Sequence, residues 1–187
     1  MQHFPRNPSI SVITTVFNGE RYLSETIKSV LQIKNLIDLE YIVIDDGSTD
    51  GTSEILKSFQ NQIKVITQSN VGESESVRRA FEIAKSEYVL VLSADDPLFT
   101  KRIFENFVES FEKNSKLVAL YPDWRKIDAL GRVIEIINVP DYSDELLIGR
   151  FRTLPGPGVI IKKSAALQIG GRRKKWVFVG DYDFWLR

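Results

Sequence analysis

Four short apolar runs, each separated from the next by a stretch of helical periodicity, fill the first half of the chain. Ile10–Val16 is β-branched and continuous, the pattern of a strand buried on both faces. Asn18-Gly19 breaks it. Arg21–Ile33 then spaces Tyr22, Leu23, Thr26, Ile27, Val30 and Leu31 along one helix face. Glu40–Ile44 predicts a second strand, Thr52–Phe59 a helix with Asp50 as N-cap, and Ile63–Thr67 a third strand. A helix over Glu73–Lys85 and a fourth strand over Glu87–Leu92 follow. Such alternation implies right-handed crossovers and a parallel sheet. Open α/β sheets bind ligands at the carboxyl ends of their strands. There the first, second and fourth runs enter polar loops, at Phe17-Asn18-Gly19, at Asp45–Gly51 and at Ser93–Pro97.

The second half is less regular. Thr100–Asn114 reads as a helix and Val118–Pro122 as a strand. Arg125–Ile137 reads as a hairpin turning at Asp128-Ala129-Leu130-Gly131. A loop over Leu154–Gly158, a strand over Val159–Lys162 and a helix over Ser164–Ile169, closed by Gly170-Gly171, complete it. Asn138–Thr153 carries no recognisable pattern. The expectation is one domain over residues 1–187, with a nucleotide-binding half (about 9–97) and an acceptor-shaping half (98–187).

Composition narrows the chemistry. The 187 residues include no Cys and one His, His3. That excludes disulfides, thiolate metal sites and a Cys nucleophile, and it argues against a Ser-His-Asp triad. The apolar runs fall short of the ~18 residues of a membrane-spanning helix. MQHFPRNPS lacks the apolar region of a signal peptide, so a cytoplasmic location is expected. Equal numbers of basic and acidic residues, 25 each, argue against a nucleic-acid binder. The balance hides an asymmetry: residues 1–93 carry 9 basic and 12 acidic groups, residues 94–187 carry 16 and 13.

Three acidic clusters stand out: Asp45-Asp46 with Asp50, Asp95-Asp96, and Asp181 with Asp183. Asp and Gly after a strand also make ordinary turns and helix caps, and both readings stay open for Asp95-Asp96 ahead of Pro97. Adjacent carboxylates repel unless a cation or donor sits nearby. Without Cys and with a single His, oxygen ligation of a hard cation is the main metal chemistry left, and Mg²⁺ takes one or two carboxylates plus waters and phosphates. The segment Asp46–Gly51 imitates the start of an EF-hand loop, but Lys57 stands where its bidentate Glu would be. Neither G-x-x-x-x-G-K-[ST] nor a G-x-G-x-x-G after the first strand is present, which demotes P-loop NTPases and dinucleotide dehydrogenases.

Taken in order, Ser11–Asn18, Ile44–Thr52, Asn70-Val71-Gly72, Ser93-Ala94-Asp95-Asp96, Gly170-Gly171 and Asp181–Arg187 resemble the family 2 glycosyltransferases. The resemblance implies the GT-A fold, an α/β/α sandwich with a mostly parallel mixed central sheet. It implies a metal-dependent, inverting transfer of a sugar from a nucleotide-diphosphate sugar (a UDP-sugar, or a GDP- or dTDP-sugar) to a saccharide or lipid-linked acceptor. The setting would be cell-surface polysaccharide, lipopolysaccharide or glycoconjugate synthesis. Thr15, Val16, Phe17, Asn18 and Asn70 would bind the donor, Asp45 would accept a hydrogen bond from the base, and Asp46 would support the pocket. Asp96, helped by Asp95, would hold Mg²⁺ or Mn²⁺; Asp95 would alternatively reach the ribose. Asp181 would be the catalytic base.

The chain departs from the family pattern at three places. Ser93 opens the metal motif where many relatives have Asp, Gly180 stands where Glu often precedes the base, and Ser76-Val77-Arg78 replaces a common Ala-Arg-Asn. Arg172, Arg173, Lys174 and Lys175 form a basic loop. It reads as a solvated loop, or as a contact for an anionic acceptor or the inner membrane face. Trp176 beside it would stack on an acceptor sugar, while Trp185 reads as core. Two alternatives are a catalytically impaired nucleotide-sugar-binding domain and a sugar-phosphate nucleotidyltransferase. The family pattern continues beyond the base, so Arg187 as the last residue reads as a truncation with impaired activity.

Overall fold

The computed structural model describes residues 9–150, 155–176 and 178–187, apart from the side chain of Asn106. His3 and the residues around it, positions 151–153 of the unpatterned segment, and Leu154 of the expected loop lie outside the described residues.

The four apolar runs are strands β1 (Ser9–Val16), β2 (Asp38–Asp45), β3 (Lys64–Thr67) and β4 (Tyr88–Ser93). Between them lie helices α1 (Leu23–Leu31), α2 (Thr52–Phe59) and α3 (Glu73–Ile83). All four strands pair in parallel, in the order β3-β2-β1-β4. After α4 (Arg102–Lys113) come β5 (Ala119–Leu120), the hairpin β6 (Trp124–Ile127) and β7 (Val133–Ile137), a π-helical turn (Glu145–Gly149), β8 (Ile160–Lys162), α5 (Lys163–Gln168) and α6 (Gly180–Trp185). Strand β8 inserts between β4 and β5 and runs antiparallel to both, so the sheet is mixed. The hairpin forms a separate two-stranded sheet.

Strand alternation sends side chains to two cores, one on each face. On one face Ile10, Val12, Tyr41, Val43, Leu90 and Leu92 pack under α1, α2 and α4. On the other, Ile13, Ile42, Ile44 and Val89 pack under α3, α5 and α6. This is the expected three-layer α/β/α sandwich. Burying each Ile or Leu side chain contributes about 1.5–3 kcal/mol, which explains why these runs are apolar without alternation.

Boundaries shift where local bonds compete with helix formation. Helix α1 begins at Leu23, two residues after the expected start, because Tyr22 and Leu23 donate to Gly19 O at 3.1 and 3.0 Å in a turn. In α4 the Thr100 hydroxyl accepts from Arg102 N at 3.2 Å and sets the start at Arg102. Strand β5 shrinks to two residues because β8 offers it only Ile160 and Ile161 as partners.

Candidate active site

Register places the loops of β1, β2 and β4 side by side. Val16 stands opposite Asp45 and Thr15 opposite Ser93, so all three strands end on one line. A hydrogen-bonded network then knits the first two loops together. Asn18 adopts a left-handed φ of 55°. Its N–H donates to Ser48 Oγ at 2.9 Å and its side-chain oxygen accepts from Thr49 N at 2.8 Å. Glu20 N donates to Asp50 Oδ2 at 3.0 Å, and Gly51 N donates to Glu20 Oε2 at 2.7 Å. The Asp50 carboxylate also accepts from Thr52 N at 3.0 Å, so it caps α2 from one position before Gly51, the N-cap residue. Gly47, at φ +81°, lets the loop pass Asn70 N, which a Cβ would meet at 3.0 Å.

Asp45 and Asp46 are both buried, yet they face different partners. Asp46 accepts from Gln68 Nε2 at 2.8 Å, Val71 N at 3.0 Å and Gly72 N at 2.8 Å. Three donors satisfy its charge and tie β2 to the turn that starts α3. Asp45 accepts from Ser48 N at 2.9 Å. Thr15 and Val16 are buried at the strand end, whereas Phe17, Asn18 and Asn70 are exposed around it.

The other two acidic clusters meet in one place. A cavity of about 310 Å³ is lined by Asp96, Asp181, Ser93, Glu73, Arg172 and Phe178, among others. Two further clefts, of about 500 and 480 Å³, reach Asp95 and Asp96 from the side of the β6–β7 hairpin. Asp96 and Pro157 line all three, so Asp96 lies where they converge. Burial pushes the Asp96 carboxyl up to about 6, and the charge of Asp95 adds to the effect. Neither Asp95 nor Asp96 is in an ion pair among the described residues. Ser93 hydrogen-bonds the Asp96 carboxylate but leaves the pair without a counter-charge, and two such oxygen donors at a strand end fit a hard divalent cation. No group of three or more acidic or His side chains is placed to bind a metal among the described residues. Any such ion would therefore complete its shell with waters and substrate phosphate, as Mg²⁺ does.

Asp181 occupies the first turn of α6, and its Oδ1 accepts from Tyr182 N at 2.8 Å. The donor-side residues Thr15, Phe17, Asn18, Asp45 and Asn70 line none of these three cavities; they form the adjoining loop network.

Several contributors carried no site signal in the sequence. Glu73 and Ser74, in the first turn of α3, line the cavity, as do Pro155, Gly156 and Pro157. The Pro-Gly-Pro-Gly run before β8 was legible only as a loop. A Cβ on Gly156 would strike the Trp124 indole, so loop and hairpin pack closely. The basic loop is largely spent on internal pairs. Arg172 reaches Glu73 at 2.8 Å and Arg173 reaches Asp183 at 3.3 Å. Lys174 and Lys175 are exposed. Arg78 pairs with Glu75 and Glu82, and Arg79 donates to Gln68 Oε1 at 2.6 Å, so neither guanidinium is without a protein partner. Trp176 is 38% exposed, and Trp185 packs edge-on against Phe184 with centroids 4.9 Å apart.

Two carboxylate clusters thus follow β2 and β4 at the carboxyl edge of the sheet, and a third stands on α6 beside them. Residues 11–151 match the family described as glycosyl transferase family 2, and the chain belongs to that family. An uncharacterized glycosyltransferase of Nostoc sp. is 40% identical over 143 residues, covering 73% of this chain and 44% of the relative. The fold is GT-A. Staphylococcus aureus TarS 1-349 in complex with UDP superimposes with a TM-score of 0.74 at 20% identity, over 94% of this chain and 53% of that one. A Pyrobaculum calidifontis mannosyltransferase in complex with GDP-Man and Mn²⁺ gives 0.70 at 17% identity, over 97% and 51%. The chain spans about half the length of the curated relatives it matches. No helix among the described residues is long and apolar enough to cross a membrane.

Proposed function

We propose that the protein transfers a sugar from a nucleotide-diphosphate donor to an acceptor hydroxyl, with inversion at the anomeric carbon. The observation that carries this reading is the cavity shared by Asp96 and Asp181 at the carboxyl edge of the sheet. Donors of the UDP or GDP type are supported by the ligands of the two structural neighbours. Thr15–Asn18, Asp45 and Asn70 frame the nucleoside, with Asp45 accepting from the base. Asp46 keeps that frame rigid through its three internal donors.

Asp96, with Asp95, would hold Mg²⁺ or Mn²⁺. Bound there, the cation supplies Lewis-acid stabilisation of a diphosphate leaving group. Asp181 takes the proton of the acceptor hydroxyl as its oxygen bonds to the anomeric carbon and the bond to the diphosphate breaks. Attack from the Asp181 side, opposite the leaving group, inverts the centre. The cavity lies near the lower end of small-molecule sites, roughly 300–1,000 Å³, which suits one sugar unit at the reacting position.

The setting we propose is cell-surface polysaccharide, lipopolysaccharide or glycoconjugate assembly in the cytoplasm. Lys174 and Lys175 would contribute about 1 kcal/mol each to an anionic membrane surface, too little to anchor the protein without a further contact.

The test is a panel of UDP-, GDP- and dTDP-sugars with Mn²⁺, reading donor binding by calorimetry and sugar release by chromatography. Asp96→Ala loses cation-dependent donor binding. Asp181→Asn keeps donor binding and lowers transfer about 10²- to 10⁴-fold, to a residual rate. Undiminished turnover by Asp181→Asn overturns the base assignment. Donor binding without transfer by the unaltered protein favours a binding domain over an enzyme.

A further inference from the structure

We infer that Arg187 is a positioning residue for Asp181, acting through α6 and the Gly170-Gly171 turn; the inference rests on the base role proposed above. Helix α6 has six residues and no side-chain cap at its start. A helix that short does not hold its shape alone, so the placement of Asp181 depends on what pins α6 down. Phe184 stacks on Phe81 of α3, with centroids 6.0 Å apart and planes at 18°. Tyr182 Oη donates to Leu147 O at 2.6 Å. The third pin is Arg187.

The Arg187 side chain is 15% exposed and lines none of the three cavities around Asp96. Its guanidinium is spent on the backbone around α6. Nη1 donates to Ile169 O, Nη2 to Gly171 O at 2.6 Å and Nε to Asp183 O at 3.2 Å. Nη2 also lies 3.0 Å from Asp183 Oδ2, an ion pair rather than an aligned hydrogen bond. Arg173 Nη1 closes on the other oxygen, Asp183 Oδ1, at 3.3 Å.

This arrangement explains two residue choices together. Gly170 and Gly171 have φ of +78° and +64°, conformations glycine adopts without strain. Gly170 N donates to Leu167 O and Gly171 N to Ala166 O, both at 2.9 Å, which closes α5 and sends the chain back toward α6. The turn leaves the carbonyls of Ile169 and Gly171 facing one planar group. A guanidinium has five donors in a fixed fork and satisfies both carbonyls and Asp183 at once, which an ammonium does not. The double glycine and the arginine sixteen positions later are thus one device that sets where the base stands.

The test compares Arg187→Lys and Arg187→Gln with the unaltered chain. Amide exchange, which needs no activity, reads the pin: the amides of residues 182–186 lose protection in both variants while those of β1, β2 and α3 keep theirs. In steady-state transfer, kcat falls about 10- to 100-fold in Arg187→Gln, the cost of misplacing a base by around 1 Å, while donor KM stays within about twofold. Arg187→Lys recovers little of that loss. Combined with Asp181→Asn, Arg187→Gln causes no further loss, because the residue acts only through the base. Unchanged exchange at residues 182–186, unchanged kcat, or an equal loss in the Asp181→Asn background each overturns the inference. Absence of transfer by the unaltered chain would count against the proposed function instead, and the exchange result would then decide the pin alone.

Discussion

Asp45 and Asp46 are sequence neighbours with different duties. Asp46 has three donors inside the protein, while Asp45 has one from its own loop. Asp96 is the opposite case, a partly buried carboxyl whose pKa is raised to about 6, first by burial and then by Asp95. The sign follows from linkage. A raised carboxyl pKa means the fold favours the protonated form; that contribution is complete below about pH 4 and is lost as pH rises through 6. At pH 7.5 the ionised Asp96 therefore costs stability, on the order of 1–2 kcal/mol for a partly exposed group. Asp96→Asn is expected to be more stable than the unaltered protein at pH 7.5 and equal to it near pH 4, as read by urea titration at both pH values. A variant equally destabilised at both would show that Asp96 carries no electrostatic cost. The presence of this carboxylate pair was legible in the sequence. The burial that adds most to its cost was not, because burial depends on which parts of the chain pack around it after folding.

Among elements, the contact between α3 and α6 best separates what the sequence reveals from what it hides. The helical spacing of α3 and the strands around it were readable, because periodicity is local. Gly180, read from sequence as the loss of a supporting carboxylate, also has a packing role. It is buried, and a Cβ there would collide with Ser74 Oγ, from a residue more than a hundred positions away. Ser74 in turn donates to Trp176 O at 3.1 Å and so ties α3 to the segment that leads into α6. Gly180→Ala is expected to turn the Ser74 hydroxyl away from Trp176 O and to cost about 0.5–1.5 kcal/mol, the worth of that hydrogen bond. In a Ser74→Ala background the offending oxygen is gone and most of that cost disappears, a coupling that a double-mutant cycle of urea midpoints would measure. Additive effects would show that the helices move apart freely. The Pro155–Pro157 loop and the β6–β7 hairpin were likewise visible as elements but not as walls of the site, since nothing local says which cavity a loop borders.

For the whole molecule, the parallel direction of β1 to β4 followed from the strand–helix alternation, but their order and the antiparallel insertion of β8 beside β4 did not. A three-residue strand far along the chain has no local signal for its direction. The consequence is that the second half closes the sheet edge next to the Asp95-Asp96 loop and brings Asp181 to Asp96. The loops proposed to bind the donor follow β1 and β2, beside the cavity that Asp96 shares with Asp181, the proposed base. Donor and cation would meet at Asp96, so their binding should be coupled, each raising the affinity of the other by the same factor. A ligand at a hundredfold its dissociation constant stabilises the fold by about 2.7 kcal/mol. For a chain of this size that is roughly 5–10 °C in Tm. Thermal melts with UDP and Mn²⁺ together should show that rise, well above the sum of the two added singly, and a chelator should remove it. Asp96→Ala should erase the excess while leaving any effect of UDP alone. An equal rise in that variant, or in the absence of the cation, would mean that the donor is held without Asp96.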